Sequence, residues 1–123
     1  MELSIVEDEG IRFAEGVPDR PFMSRIGDAN RVLEVCFANK SRLVLLYAQN
    51  LTSAFFDLSS GEAGAILQKL RNYHVHLAVV CPPGSVRFSS RFGELLAEER
   101  RRHDFGVFET REAARQWLKG VTE

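Results

Sequence analysis

Two short apolar segments place the strongest constraint on the fold of this chain. Leu43 to Tyr47 is a continuous apolar run without alternation, and residues 75–80 form a second run that ends at Pro82-Pro83. A half-exposed strand alternates polar and apolar residues, whereas a strand covered on both faces is apolar along its length. The two segments therefore predict central strands of a sheet that is covered on both faces, as in parallel sheets.

Stretches with helical spacing lie before, between and after these strands. Four of them place apolar residues at intervals of about three and four, which is typical of one helix face. Those residues are Ala29, Val32, Leu33 and Cys36; Ala63, Ile66, Leu67 and Leu70; Phe88, Phe92, Leu95 and Leu96; and Ala113, Ala114, Trp117 and Leu118. Asp28 and Thr110 are predicted to cap the first and last helices, and Gly120 to end the last one.

Three further short segments complete the predicted sheet. Residues 3–5 and 11–14 flank an acidic turn and predict a hairpin, and residues 105–108 predict the last strand. The predicted order is ββαβαβαβα, which indicates an α/β fold with a mostly parallel sheet and helices packed against it. Residues 1–123 are short enough to form a single domain.

The composition excludes several classes of protein. With 16 basic and 17 acidic residues the net charge is −1, which argues against a protein that holds the nucleic-acid backbone. The acidic N-terminus lacks the features of a secretory signal, and the longest apolar run, residues 43–48, is far below the roughly 18 residues of a membrane span. Cys36 and Cys81 lie in apolar surroundings, so we expect reduced, buried thiols in a cytoplasmic protein.

The segment 47–64 is the most informative about function, because it joins a central strand to the start of a helix. Ser59 and Glu62 have the spacing of a capping box, in which each side chain accepts a hydrogen bond from a backbone N–H group. The same helix start, with Ser60 and Gly61, could instead hold an anion or accept a phosphoryl group, because its amides are unpaired. Both interpretations fit the sequence.

Aromatic and acidic residues precede that helix start. Phe55 and Phe56 are adjacent, so in an extended chain one ring would face the core while the other could mark a contact surface. Core packing of both rings through a local twist is the alternative. Asp57 could orient a ligand, although Asp more commonly caps a helix or forms a turn.

The sequence has no motif for a known catalytic or metal site, so no cofactor or metal is expected. It contains no GxxxxGK[ST] loop, no GxSxG elbow and no HExxH pair. His74 and His76 would point the same way on a strand, but no third ligand has matching spacing. Cys81 follows a strand, as some catalytic thiols do, but a structural thiol is favoured because no base lies nearby in the sequence.

One part of the chain carries a specific resemblance. Its residues are Asn50-Leu51, Phe55-Phe56-Asp57-Leu58, Ser60-Gly61, Ala63-Gly64, Ile66-Leu67-Gln68-Lys69-Leu70 and Asn72-Tyr73. They resemble an uncharacterised bacterial family that carries a domain-of-unknown-function label. The resemblance covers nearly the whole chain, including residues 91–94 and 110–118, and implies no particular biochemical activity.

The element order is more distantly similar to that of STAS domains, the fold of anti-sigma-factor antagonists. In those domains an Asp-Ser-Ser-Gly signature opens the second helix, and one serine is phosphorylated to switch partner binding. Ser59-Ser60-Gly61 lies at the equivalent place, with Asp57 one residue farther upstream because Leu58 intervenes. The resemblance makes Ser60 the candidate phosphorylation site.

The leading hypothesis is a non-enzymatic binding or regulatory module that contacts a protein partner through segment 47–64. The candidate surface consists of Asn50, Phe55, Phe56, Asp57, Ser59, Ser60 and Gly61. The alternative is a small-molecule-binding protein or enzyme with a pocket at the carboxyl ends of the strands. Its polar groups would come from Asn50, Asp57, Ser60 and Cys81. Self-association stays open, because Trp117 and the aromatic residues of the third helix could fill either the core or an interface. Nucleic-acid and membrane partners are not expected.

Overall fold

Strands and helices alternate along the chain in the predicted order. The computed structural model describes residues 3–8, 10–17, 29–51, 62–84, 93–94, 96–98 and 103–121. The strands in these ranges are β1 (Leu3–Asp8), β2 (Ile11–Gly16), β3 (Leu43–Tyr47), β4 (His76–Val80) and β5 (Phe105–Phe108). The helices are α1 (Ala29–Asn39), α2 (Glu62–Asn72), α3, of which residues 93–94 and 96–98 are described, and α4 (Arg111–Val121). A short 3-10 helix, Ala48–Asn50, follows β3.

The strands form one mixed sheet in the order β1-β2-β3-β4-β5. β1 and β2 are antiparallel, whereas β2 to β5 pair in parallel. The predicted α/β fold is confirmed, and its sheet is mixed because the hairpin strand β1 runs antiparallel to β2. Each parallel strand lies beside the preceding one, so right-handed crossovers place successive helices on the same face. Residues of α1, α2 and α3 accordingly pack on one face, and α4 packs on the other.

The larger core lies under α1 and α2. All four apolar positions predicted for α1 are buried, as are Ile66, Leu67 and Leu70 of α2, while the side chain of Ala63 lies outside the described part of the chain. These side chains contact residues of one sheet face, among them Val44, Leu46, Leu77, Val79 and Phe105. Leu96 of α3 is partly buried against the same core. The periodicity of the sequence therefore identified the packed faces of both helices.

The smaller core lies between the sheet and α4. Ala114 and Leu118 are fully buried against the opposite sheet face, and Trp117 packs beside them. Two details of the prediction are wrong: Ala113 is exposed, and the helix continues through Gly120 to Val121, whose side chain packs against this core. Packing of the last turn outweighs the preference of glycine for helix ends.

Both predicted central strands are buried on both faces, as expected. Leu43 to Leu46 and Leu77 to Val80 are buried, with alternate residues contributing to the two cores. His74, however, does not lie on β4. It occupies the turn after α2 with φ of 61°, so His74 and His76 do not share a strand face.

Both cysteines are buried and free, as predicted. Burial raises the pKa of the Cys36 thiol to about 11. Asp28, Phe88, Phe92 and Leu95, which the sequence assigned to helix caps or faces, lie outside the described residues.

Candidate functional site

Asn50 joins the ends of two neighbouring parallel strands. Its side chain is only 1% exposed. Its Oδ1 atom accepts a hydrogen bond from the Tyr47 amide at 2.7 Å, and its Nδ2 atom donates one to the Val17 carbonyl at 2.7 Å. Because Tyr47 ends β3 and Val17 follows β2, this one amide group fixes the position at which segment 47–64 leaves the sheet. We call this arrangement the Asn50 anchor.

A glycine makes room for the Asn50 anchor. A Cβ atom on Gly16 would lie 2.3 Å from Oδ1 of Asn50 and 2.9 Å from Cδ2 of Leu46. Contacts this short do not occur without displacement of the neighbouring atoms. The position of the Asn50 side chain after β3 therefore requires a glycine at the end of β2.

The remaining residues of the predicted partner surface lie outside the described residues. They are Phe55, Phe56, Asp57, Ser59, Ser60 and Gly61. The described chain stops at Leu51, which is buried in the larger core, and resumes at the first residue of α2, Glu62. The exposure of these side chains stays a prediction, whereas Leu51 before the segment and Ile66, Leu67 and Leu70 of α2 after it are held by packing.

A polar cluster on the α4 side of the sheet lies beside the Asn50 anchor. Glu15, 15% exposed, accepts hydrogen bonds from Arg111 at 2.9 Å (Nε to Oε2) and 3.1 Å (Nη2 to Oε1). The Tyr47 hydroxyl donates a hydrogen bond to Oε2 of the same carboxylate. The Arg111 guanidinium also lies 5.9 Å from the centre of the Phe13 ring. Together, Glu15, Tyr47 and Arg111 link β2 and β3 to the first turn of α4.

The electrostatics of this cluster hold each member in one protonation state near neutral pH. Burial favours the neutral form of Glu15, but hydrogen bonds from Arg111 and Tyr47 outweigh it and lower the pKa. Burial, followed by the bond to Glu15, raises the pKa of Tyr47 to about 12. The bond to Glu15 likewise raises the pKa of Arg111. No member titrates near pH 7, where general acid–base catalysts work best, so the cluster is suited to holding elements together.

No local pattern in the sequence indicates this cluster. Glu15 lies 32 positions before Tyr47 and 96 before Arg111. The available signal was indirect: Glu15 lies near the end of β2 and Tyr47 at the end of β3, so their side chains meet once β2 and β3 pair in parallel. Cys81, the other predicted residue at this edge, is buried, and its amide donates to the Phe108 carbonyl at 2.7 Å.

A cavity lies at the opposite edge of the sheet, with a volume of about 790 Å³. Ile11, Leu43 and His76, each the first residue of a parallel strand, line it together with Lys40 and Arg42. We call it the amino-edge cavity. The pocket that the sequence predicted at the carboxyl ends of the strands includes residues beyond the described ranges and stays a prediction.

The described ranges lack two kinds of feature. They contain no group of three or more His, Cys, Asp or Glu side chains arranged to hold a metal ion. They also contain no helix with the length and apolar character to cross a membrane.

Comparison with known proteins identifies the family. The family model described as "Domain of unknown function (DUF4180)" matches residues 8–118, which is most of the chain. The chain therefore belongs to this family, and the resemblance seen in the sequence to a domain-of-unknown-function family is confirmed. Searches of curated proteins and of solved structures gave no match.

Proposed function

We propose that this member of the DUF4180 family is a non-enzymatic binding and regulatory module with a STAS-like fold. Its partner is a protein that contacts segment 47–64. The observation that carries the proposal is the Asn50 anchor, which commits a buried amide to fixing the start of that segment. Binding residues are commonly found on loops that a rigid scaffold positions.

The far end of the segment is fixed as well. Ile66, Leu67 and Leu70 attach α2 to the larger core, and α2 also contacts α1. Ten residues, 52–61, connect the buried Leu51 to the first turn of α2. A contact surface between two fixed ends loses less conformational entropy on binding than a free loop of the same length.

The topology supports the STAS-like part of the proposal. A hairpin is followed by successive parallel strands with crossover helices on one face, and segment 47–64 leads into the second helix, α2. That is the position of the phosphorylated serine in STAS domains, and Ser60 lies there in this sequence. A phosphoryl group on Ser60 would add a charge of about −1.5 to −2 to the segment that also contains Phe55 and Phe56, and would thereby change partner affinity.

The alternative, a small-molecule pocket or active site at the carboxyl edge, has less support. The Asn50 side chain makes hydrogen bonds to the backbone of Tyr47 and Val17, and Cys81 is buried. Neither side chain is presented to a ligand at that edge. The described cavity lies at the amino edge instead.

The test is affinity capture from the source cell with the full chain as bait, followed by quantitative mass spectrometry. The baits are the wild type, Ser60→Glu, a Phe55→Ala/Phe56→Ala double variant, and Ser4→Glu. Ser4 is exposed on β1, so its variant adds the same charge away from segment 47–64. Thermal unfolding of each bait confirms that it is folded.

We expect the wild type and Ser4→Glu to capture the same specific proteins, and both segment variants to lose at least one of them. Purified partner and bait should then bind directly, with affinity reduced by the segment substitutions. The proposal is overturned if the four folded baits capture identical sets or if none captures a specific partner.

A further inference from the structure

Cationic side chains line the amino-edge cavity, and among the described residues only part of their charge is paired. Arg12, Lys40 and Arg42 all line it. Arg12 pairs with Glu7, with Nε 2.8 Å from Oε1, and donates to the Asn39 carbonyl at 3.1 Å. Among the residues that the structure describes, the side chains of Lys40 and Arg42 make no hydrogen bond or ion pair.

Neighbouring acidic groups have other partners. Glu7 is held by Arg12, and Oδ2 of Asp8 lies 3.5 Å from Nε of Arg115. The C-terminal carbonyls of α1, which would repel an anion, are also engaged: the Cys36 carbonyl accepts the Ser41 amide, and the Asn39 carbonyl accepts Arg12. Lys40 and Arg42 thus line the cavity without an ion pair among the described residues, and Glu7 and Asp8, which line an adjoining cavity together with Lys40, are paired with Arg12 and Arg115.

An aromatic ring forms the wall next to these cations. Phe37 lines the cavity and is 59% exposed, and its ring contacts that of Tyr73 edge to face at 5.6 Å between centres. Phe37 and Tyr73, which is 47% exposed, are the large hydrophobic side chains exposed in the described part of the chain. The buried side chains of Ile11 and Leu43 add apolar surface. An exposed apolar surface beside polar groups in a cavity is typical of ligand sites.

We propose that the amino-edge cavity binds a small organic anion that carries an aromatic ring. The anionic group, a carboxylate, sulfonate or phosphate, contacts Lys40 and Arg42, and the ring packs against Phe37. Lys40 directly follows α1, with its backbone in the left-handed conformation at φ of 53°. The site lies at the end of the strands opposite segment 47–64, so it is independent of the function proposed above.

The experiment is a fluorescence titration of the full chain with 8-anilinonaphthalene-1-sulfonate, an aromatic anion that fluoresces when its ring leaves water. We expect saturable binding to the wild type at one site. The Lys40→Gln/Arg42→Gln variant should bind about tenfold more weakly or worse, because it lacks both charged donors. Phe37→Ser should also weaken binding. Lys69→Gln on α2 removes a charge away from the cavity and should bind like the wild type.

Competition separates the roles of ring and charge. Benzoate should displace the dye more effectively than either benzyl alcohol, which lacks the charge, or acetate, which lacks the ring. Near-ultraviolet circular dichroism of each variant excludes dye binding to a loosened core. Absence of saturable binding overturns the proposal, as does equal affinity of the wild type and the Lys40/Arg42 variant. Displacement by benzyl alcohol as effective as that by benzoate also overturns it.

Discussion

At the carboxyl edge, Gly16 lies close against the Asn50 side chain. A methyl group on Gly16 would overlap Oδ1 of Asn50. We expect Gly16→Ala to lower the free energy of unfolding by about 1–3 kcal/mol, because the buried amide must move from its two backbone partners. Urea unfolding at pH 7 measures the change. Gly64→Ala is the matched control, because apart from the backbone of α2 itself no atom of the described residues lies within 4 Å of its Cβ position, and it should raise stability by about 0.5–1 kcal/mol.

A double variant tests whether Asn50 is the residue that makes alanine unfavourable at position 16. Gly16→Ala combined with Asn50→Ala should cost less than the sum of the two single changes, because the clash disappears with the amide. Additive costs would mean that Gly16 is constrained by another neighbour, such as Leu46.

The raised pKa of Tyr47 can be measured directly, because the chain has only two tyrosines. In a Tyr73→Phe variant the phenolate absorbance near 295 nm reports on Tyr47 alone. We expect a midpoint near 12, because burial and the bond to Glu15 both favour the neutral phenol. Adding Glu15→Gln should move the midpoint towards 10. A midpoint near 10 in the Tyr73→Phe variant, unchanged by Glu15→Gln, would contradict the cluster described above.

The contribution of Glu15 to the free energy of unfolding decreases at acid pH. Its pKa in the folded chain lies below the ordinary value of 4.5. The contribution is therefore present above that value and is lost as the pH falls through the folded pKa. Because Arg111 is 41% exposed, solvent screens the pair, and we expect Glu15→Gln to cost about 1–2 kcal/mol at pH 7. Urea unfolding should give a smaller difference between wild type and variant at pH 3. An equal difference at both pH values would show that the charge of Glu15 is not involved.

Among the elements, α4 packs on the sheet face opposite the crossover helices. Its first turn is capped by Thr110, whose Oγ1 accepts the Ala113 amide at 3.1 Å. Thr110→Ala should lower the free energy of unfolding by about 1 kcal/mol, whereas Thr110→Ser keeps the acceptor and should change it by less than about 0.5 kcal/mol. Thermal unfolding of the two variants gives the comparison. Equal losses would mean that the threonine methyl, rather than the cap, is responsible.

Helix faces could be predicted well from the sequence, because three- and four-residue spacing directly reflects burial. Helix ends were less predictable. His74 ends α2 in a left-handed conformation, usually a glycine position, and backbone bonds from His74 and Val75 to Arg71 and Leu70 hold it there. Gly120, a residue that favours helix ends, instead lies inside the last turn of α4. The residues at which such helices end depend on tertiary packing, which a local sequence pattern does not reveal.

The candidate site was predictable only in part, for the same reason. Asn50 was identified within a motif, but its buried position and its bonds to Tyr47 and Val17 depend on the pairing of β2 with β3. The link between Glu15 and Arg111 requires α4 to fold back over the sheet, and no local pattern records such a contact.

On the scale of the whole molecule, the sheet separates two edges of different character. At the carboxyl edge, the buried Asn50 side chain holds the ends of β2 and β3 together, and Glu15 links them to α4. At the amino edge, Lys40 and Arg42 face a cavity beside an exposed aromatic ring. The cavity shares no residue with segment 47–64, so the two proposed sites can be tested with separate sets of variants.

The arrangement of the strands also predicts how stability is distributed over the molecule. β3 and β4 pair on both sides and are covered by both cores, whereas β1 pairs only with β2 in the described sheet. Amides of β3 and β4 should exchange with solvent only through global unfolding. Gly16→Ala should therefore raise their exchange rates by the same factor by which it lowers the equilibrium constant for folding. Amides of β1 should exchange faster in the wild type and respond less. Hydrogen exchange followed by NMR measures both strands, and β1 amides as slow as those of β3 would instead indicate that the whole sheet opens as one unit.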